Sequence, residues 1–266
     1  MNPRRIYAVF LRYMLLLWGS PQRLFQIVIW GSFDVIVFGY LTKYLNAVSE
    51  AQFSLISALL GGIIFLDILA RFQHGVATPV LEDIWSNNLL NYFASPLRVS
   101  EYILGLIGSS IVVAGLATAM MVFVAQIVFG FSLFTLGMPL ALFMLILFFF
   151  GIALGIFGAT IVLRFGPSAE WFVWPMTFVL SPFVGVLYPI SILPQWMQAI
   201  SSILAPSYVF EGMRSILISG EFSPSGIGVG LVLSVATVAI AQFIFMRTYK
   251  TVVKKGLLAR YSAETL

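Results

Sequence analysis

Few side chains in this sequence could take part in chemistry, and most of those stand where ionised groups are costly. Asp34 lies in the middle of the apolar run WGSFDVIVFGY. Asp67, Arg71 and His74 follow at i, i+4 and i+7, so a helix brings all three to one face, and Asp67 can pair with Arg71 at that spacing. Glu211 and Arg214 are three residues apart in another apolar region. Ionisable groups in such surroundings need a partner or water, and each set therefore has two readings. Asp34 is either a carboxyl hydrogen-bonded to a neighbouring helix or part of a substrate path or gate. The Asp67–Arg71–His74 face is either self-paired for stability or the lining of a water-filled cavity. Glu211 and Arg214 either clamp a loop or rim an exit.

Enzyme chemistry has little to work with. One histidine and no cysteine leave no ordinary metal-ligand spacing, no thiol nucleophile and no disulfide. A serine triad would have to use His74, and no G-x-S-x-G turn occurs anywhere. A phosphate loop requires G-x-x-x-x-G-K-[ST]. The only lysine followed by Ser or Thr is Lys250, and Tyr249 precedes it with no glycine-rich turn. The net charge of +4 is small and forms no basic tract of the density a nucleic-acid surface needs. The chain is expected to bind no cofactor and no metal of its own.

The elements that must position these groups follow from composition. Of 266 residues 61% are hydrophobic and 9% charged, against about a quarter charged in a soluble domain. The sequence describes an all-α integral membrane protein. Six stretches reach the roughly 20 apolar residues of a spanning helix: 24–44, 53–80, 102–129, 138–163, 171–188 and 227–245. Runs such as LALFMLILFFFGIALGIFG lack the alternation of a membrane β-barrel. The N-terminal segment is read as retained rather than as a signal peptide, because Arg12 interrupts its apolar run and no small-x-small site follows.

Lys and Arg in the loops set the orientation. A cytoplasmic N-terminus gives that side Arg4, Arg5, Arg12, Arg23, Arg98 and Arg164, then Arg247, Lys250, Lys254, Lys255 and Arg260, with Arg71 leaning the same way. The opposite side keeps Lys43 and Arg214. Both termini are then cytoplasmic, as six spans require. Residues 3–22 place Ile6, Phe10, Tyr13 and Leu17 at helical spacing with Arg5 and Arg12 on another face, which predicts an amphipathic helix in the interface ending at GSPQR. Residues 189–226 are too apolar for a solvated loop and too broken by Pro189, Pro194, Pro206 and Pro224 for a span. They predict a re-entrant helical hairpin, roughly 194–204 and 207–218, before the last span.

The stretch LEDIWSNNLLNYFASPLRVSEY, residues 81–102, is the exception in an otherwise greasy chain. It mixes Trp85, Leu89, Leu90, Tyr92 and Phe93 with Glu82, Asp83, Asn87, Asn88 and Asn91, and Ser95–Pro96 stops it before the third span. Solvation alone does not call for five large apolar groups. An aromatic anchor ringed by polar contacts is the usual composition of a protein interface.

The order of these features resembles the membrane subunits of type-2 ABC exporters, along essentially the whole chain. The best local likenesses are NNLLNYFASPLRVSEYILG (residues 87–105) and SPFVGVLYPISILPQW with APSYVFEGMR (within 181–214). The resemblance implies a single permease domain over 1–266 and a second permease subunit, preferably as a homodimer. It also implies two copies of a cytosolic ATPase subunit carrying the ATP and Mg, and a bacterial or archaeal cell membrane. It makes residues 81–98 a coupling helix that docks the ATPase through Glu82, Asp83, Trp85, Asn87, Asn88, Leu89, Leu90, Asn91 and Tyr92. Cargo of this family spans lipids, amphiphilic drugs and glycans, and the short outer loops favour a small amphiphile. The competing readings are a stand-alone proton-coupled carrier using Asp34 or Asp67, and a membrane scaffold or enzyme, for which no site is found.

Overall fold

The computed structural model describes residues 1–49, 53–86 and 88–255. Asn87 and Arg260 lie outside the described residues, as do the side chains of Leu90 and Phe93. No strand occurs among the described residues, which form three short 3-10 turns and eleven α-helices. They are α1 (Pro3–Trp18), α2 (Pro21–Ser49), α3 (Phe53–Trp85), α4 (Asn88–Ala94), α5 (Val99–Phe129), α6 (Pro139–Phe165), α7 (Glu170–Val173), α8 (Met176–Val184), α9 (Gln195–Ser201), α10 (Ala205–Ser219) and α11 (Pro224–Lys254).

Local sequence sets many of these bounds. Proline opens α1, α2, α6 and α11, where its missing N–H has no helical partner to lose. Asn2 caps α1 by accepting from the Arg4 amide at 3.0 Å. Gly130, Gly185 and Gly220 end α5, α8 and α10 in the left-handed region, at φ 66°, 71° and 71°.

Among the described residues, α2, α3, α5, α6 and α11 are long and apolar enough to cross a membrane. The stretch expected as the fifth of six spans, 171–188, is not a continuous helix. It divides between α7 and α8 around Trp174 and Pro175, carries Pro182 inside α8, and ends at Gly185. Residues 189–226 hold α9 and α10, which continue into α11 across Gly220.

Helices α3 and α6 form the centre and are buried along most of their apolar length, whereas α2, α5 and α11 turn most of theirs outward. The two central helices approach closely because α6 presents Gly151, Gly155 and Gly158 to α3. A Cβ on Gly155 would lie 2.7 Å from the Gln73 carbonyl oxygen and 2.8 Å from the Val76 Cβ. Small residues at a membrane-helix crossing let backbones meet in this way. Helix α5 packs on α3, α2 and α1, with Gly105 seated under Val9 of α1, while α10 packs on α11, α6 and α3.

Two apolar cores result. One, at the α10 end, gathers Leu60, Phe65, Met121, Phe143, Phe210 and Met213. The other, at the α1 end, gathers Val9, Val80, Leu81, Ile84, Tyr102 and Val162. Between them the buried amide of Gln73 stitches α3 to the broken segment, donating to the Val173 carbonyl at 2.7 Å and accepting from the Thr177 hydroxyl.

Candidate functional site

At the α3–α4 corner, helical periodicity divides the polar residues between two faces. Asp83 falls on the side of Val76, Val80 and Ile84 and is 1% exposed. It accepts from the Tyr13 and Tyr102 hydroxyls, each at 2.6 Å, and pairs with Arg12 at 2.9 Å. Burial and the adjacent Asp83 carboxylate push the Tyr13 phenol well above its ordinary pKa, so it stays a donor. Asp83 is therefore an anchor inside the protein, not part of a polar rim. Leu89 is likewise buried, against the core at the α1 end, and so fixes α4 to its own chain.

The neighbouring carboxylates are also engaged. Glu82 meets Arg23 at 3.1 Å. Glu101 accepts from the backbone amides of Asn2 at 2.7 Å and Arg98 at 3.0 Å, with Arg5 at 3.7 Å. Arg5 also donates to the Pro96 carbonyl in the turn after α4, and Ser95 tightens that turn through the Tyr92 carbonyl at 2.6 Å. What faces outward at the corner is Trp85, 44% exposed, with Ser86 and Asn91, and with Asn88 and Tyr92 half-buried beside them. Arg5, Arg12, Tyr13, Arg23, Glu101 and Tyr102 are the residues that sequence reasoning missed here.

The second set lies within the bundle. Arg71 holds Asp67 through Nε at 2.5 Å, with Nη2 3.5 Å from the other carboxylate oxygen, both side chains being half-buried. Its guanidinium reaches α2, where a Cβ on Gly31 would come within 2.8 Å of Nη2. Asp34 on α2 is near enough to feel the charges of Asp67 and Arg71, but it hydrogen-bonds to neither. His74 stacks on Trp174 with ring centroids 4.8 Å apart, and its buried Nδ1 has no hydrogen-bond partner. The structure thus brings Asp34, Asp67 and Arg71 together, with His74 a turn further along α3. Among the described residues no three of His, Cys, Asp and Glu gather as a metal site requires.

The third set is at the α10 end. Glu211 accepts from Arg214 and from the Ile190 amide, each at 2.8 Å. Arg214 also donates to the Gly185 carbonyl at 2.6 Å. The pair fastens α10 to the chain leaving α8, which is the geometry of a clamp.

With that geometry in place, comparison with known families gives one match. The model of the ABC-2 type transporter family (ABC2_membrane) matches residues 4–218, from the first turn of α1 to the last of α10. The chain belongs to this family. A comparison with curated proteins gives no match. The protein is a multi-pass ABC transporter permease, a transport subunit rather than the catalyst. The match takes in the α3–α4 corner, the Asp67–Arg71 pair and the Glu211–Arg214 clamp.

Proposed function

We propose that this permease is the membrane half of an ATP-driven exporter, powered by a separate cytosolic ATPase that docks on the α3–α4 corner. The observation that carries this reading is Trp85. It stands exposed on a short, internally anchored corner whose nearby carboxylates Glu82, Asp83 and Glu101 are already matched to arginines of the same chain. A large aromatic on a rigid, charge-satisfied platform is the composition of a binding hot spot. Asn88, Asn91 and Tyr92 supply its polar border, and the ATPase supplies ATP and Mg. Two permease subunits, as a homodimer, and two ATPase subunits complete the transporter.

The α1 end is the cytoplasmic one. Arg4, Arg5, Arg12, Arg23, Arg98, Arg164, Arg247, Lys250, Lys254 and Lys255 are at or near that end of the helices, as the retention of positive charge on the inside demands. The broken α7–α8 segment acts as the sixth crossing. It runs antiparallel to α3, with Val173 beside Gln73 and the Val186 carbonyl against Gly62. That is eleven residues of α3, about 16 Å of helix. Both termini then face the cytoplasm of a bacterial or archaeal cell. Residues 189–226 dip in from the outside; the support is α10, whose Ala205 and Tyr208 meet Gly230, six residues inside the start of α11. The cargo is a small amphiphile, and the carboxylate–guanidinium face on α2 and α3 borders its route.

Reconstitution in inverted vesicles tests this reading. With its cytosolic ATPase, captured by co-purification with the permease, the protein is expected to accumulate a fluorescent amphiphile such as a rhodamine only when ATP is present. Accumulation without the ATPase that collapses with the proton gradient, and is lost in Asp34→Asn, supports the proton-coupled carrier instead.

A further inference from the structure

The corner that carries Trp85 is tied to more than its own helix. Asp83 takes three groups from two elements besides α3: the Tyr13 hydroxyl and Arg12 guanidinium of α1, and the Tyr102 hydroxyl of α5. Arg12 reaches the docking helix as well, its guanidinium carbon 5.1 Å from the ring centre of Tyr92 in α4 and 5.2 Å from that of Tyr13. The Tyr92 ring in turn rests on Tyr102, centroids 5.6 Å apart. Two further ties run in parallel. The α1 N-terminus is held by Glu101 and the Pro96 turn, and the start of α2 is held by Glu82 through Arg23. A buried carboxylate with two hydroxyl donors and a guanidinium at ion-pair distance is far more than α3 needs to end. A surface helix that only anchors the chain in the interface needs no such centre, because its apolar face already packs on α5.

We propose that Asp83 is a positioning residue for energy coupling: it locks interfacial helix α1 to the α3–α4 corner, so that a displacement imposed at Trp85 moves α1 and α5 with it. This rests on the docking reading above. The lock consists of short, charge-assisted hydrogen bonds in a site almost closed to water, where they are strong and directional. Docking itself needs only Trp85 and its outward neighbours. Binding and transmission are therefore carried by different residues and can be separated.

The absence of cysteine allows single labels to be placed at will. Spin-label pairs Tyr7→Cys with Val232→Cys, and Arg98→Cys with Val232→Cys (the α4 pair, placed in the turn after α4 and outside the docking residues), report α1 and the corner against α11, all three positions being exposed. Distances are read in the full complex with the partner ATPase, before and after trapping with ATP and vanadate. In the otherwise native protein both pairs are expected to shift. In Tyr13→Phe with Tyr102→Phe, which keeps the rings and removes both hydroxyls, the α4 pair should shift as before and the α1 shift should fall at least threefold. Asp83→Asn should do the same. An α1 shift undiminished in the double variant overturns the proposal, as does loss of both shifts together, which marks Asp83 as a purely structural residue. Failure of the ATPase to bind the unsubstituted corner overturns the docking reading and this proposal with it.

Discussion

Trp85→Ala is expected to weaken binding of the ATPase subunit by roughly thirtyfold or more, while leaving the permease folded and monodisperse. Truncating a central aromatic hot spot typically costs about 2 kcal/mol or more of binding free energy, which is that factor in Kd. The fold should tolerate the change because Trp85 ends α3 with 44% of its surface outside, and the corner is held by Asp83 and Leu89 instead. Trp196→Ala is the matched control. It removes a more exposed tryptophan, at 61%, from the opposite end of the molecule and should leave Kd unchanged. Titration of the ATPase onto permease nanodiscs measures all three proteins. Equal affinities for the native chain and Trp85→Ala would remove the residue from the interface.

The largest expected loss of stability is at Gly155→Leu. The first added carbon alone would sit 2.7 Å from a backbone oxygen of α3, and backbone cannot rotate away as a side chain can. The helices must separate, which pulls Gln73 from the Val173 carbonyl and the Thr177 hydroxyl it stitches. Overpacking of this kind costs about 3 kcal/mol, and the freed buried amide adds to it. The prediction is a sharp fall in monodisperse yield and in thermal midpoint in detergent. Gly115→Leu on α5, where nothing lies within 4 Å of the added atom, should be close to neutral. Comparable behaviour of the two variants would show that the α3–α6 crossing is not tightly packed.

Much of this architecture is legible in the sequence because apolar run length and proline placement are local properties. The five long helices follow from the runs, and Pro21, Pro139 and Pro224 mark the starts of three of them. Legibility fails where the deciding partner is distant. Asp83 reads as one more polar group in a polar stretch, since nothing in the spacing reveals that Tyr13, seventy residues earlier, points at it. Glu211 and Arg214 read equally as clamp or rim because their partners are backbone groups of Ile190 and Gly185, and Gly185 is freed by a left-handed turn that composition does not announce. Residues 171–188 are apolar enough to suggest a plain span, yet Pro175 and Pro182 divide and shorten the helix. The pairing of Asp67 with Arg71 was foreseeable from i, i+4 spacing. The approach of Asp34 was not, because it depends on how closely α2 can lie against α3 at Gly31.

If a cytosolic ATPase seats on the α3–α4 corner, a group attached beside Trp85 must lie against it. A benzophenone maleimide placed on Ser86→Cys, beside Trp85, tests this in a chain that otherwise lacks cysteine. Its photoactivated ketone inserts into C–H bonds of whatever lies against it and needs no thiol on the ATPase. The permease is reconstituted with its co-purified cytosolic ATPase, with Ile192→Cys at the other end as the comparison. A permease–ATPase product is expected from Ser86→Cys, lost when Trp85→Ala is added, and none is expected from Ile192→Cys. A product from Ile192→Cys, or none from Ser86→Cys while the ATPase remains bound, would contradict this seating.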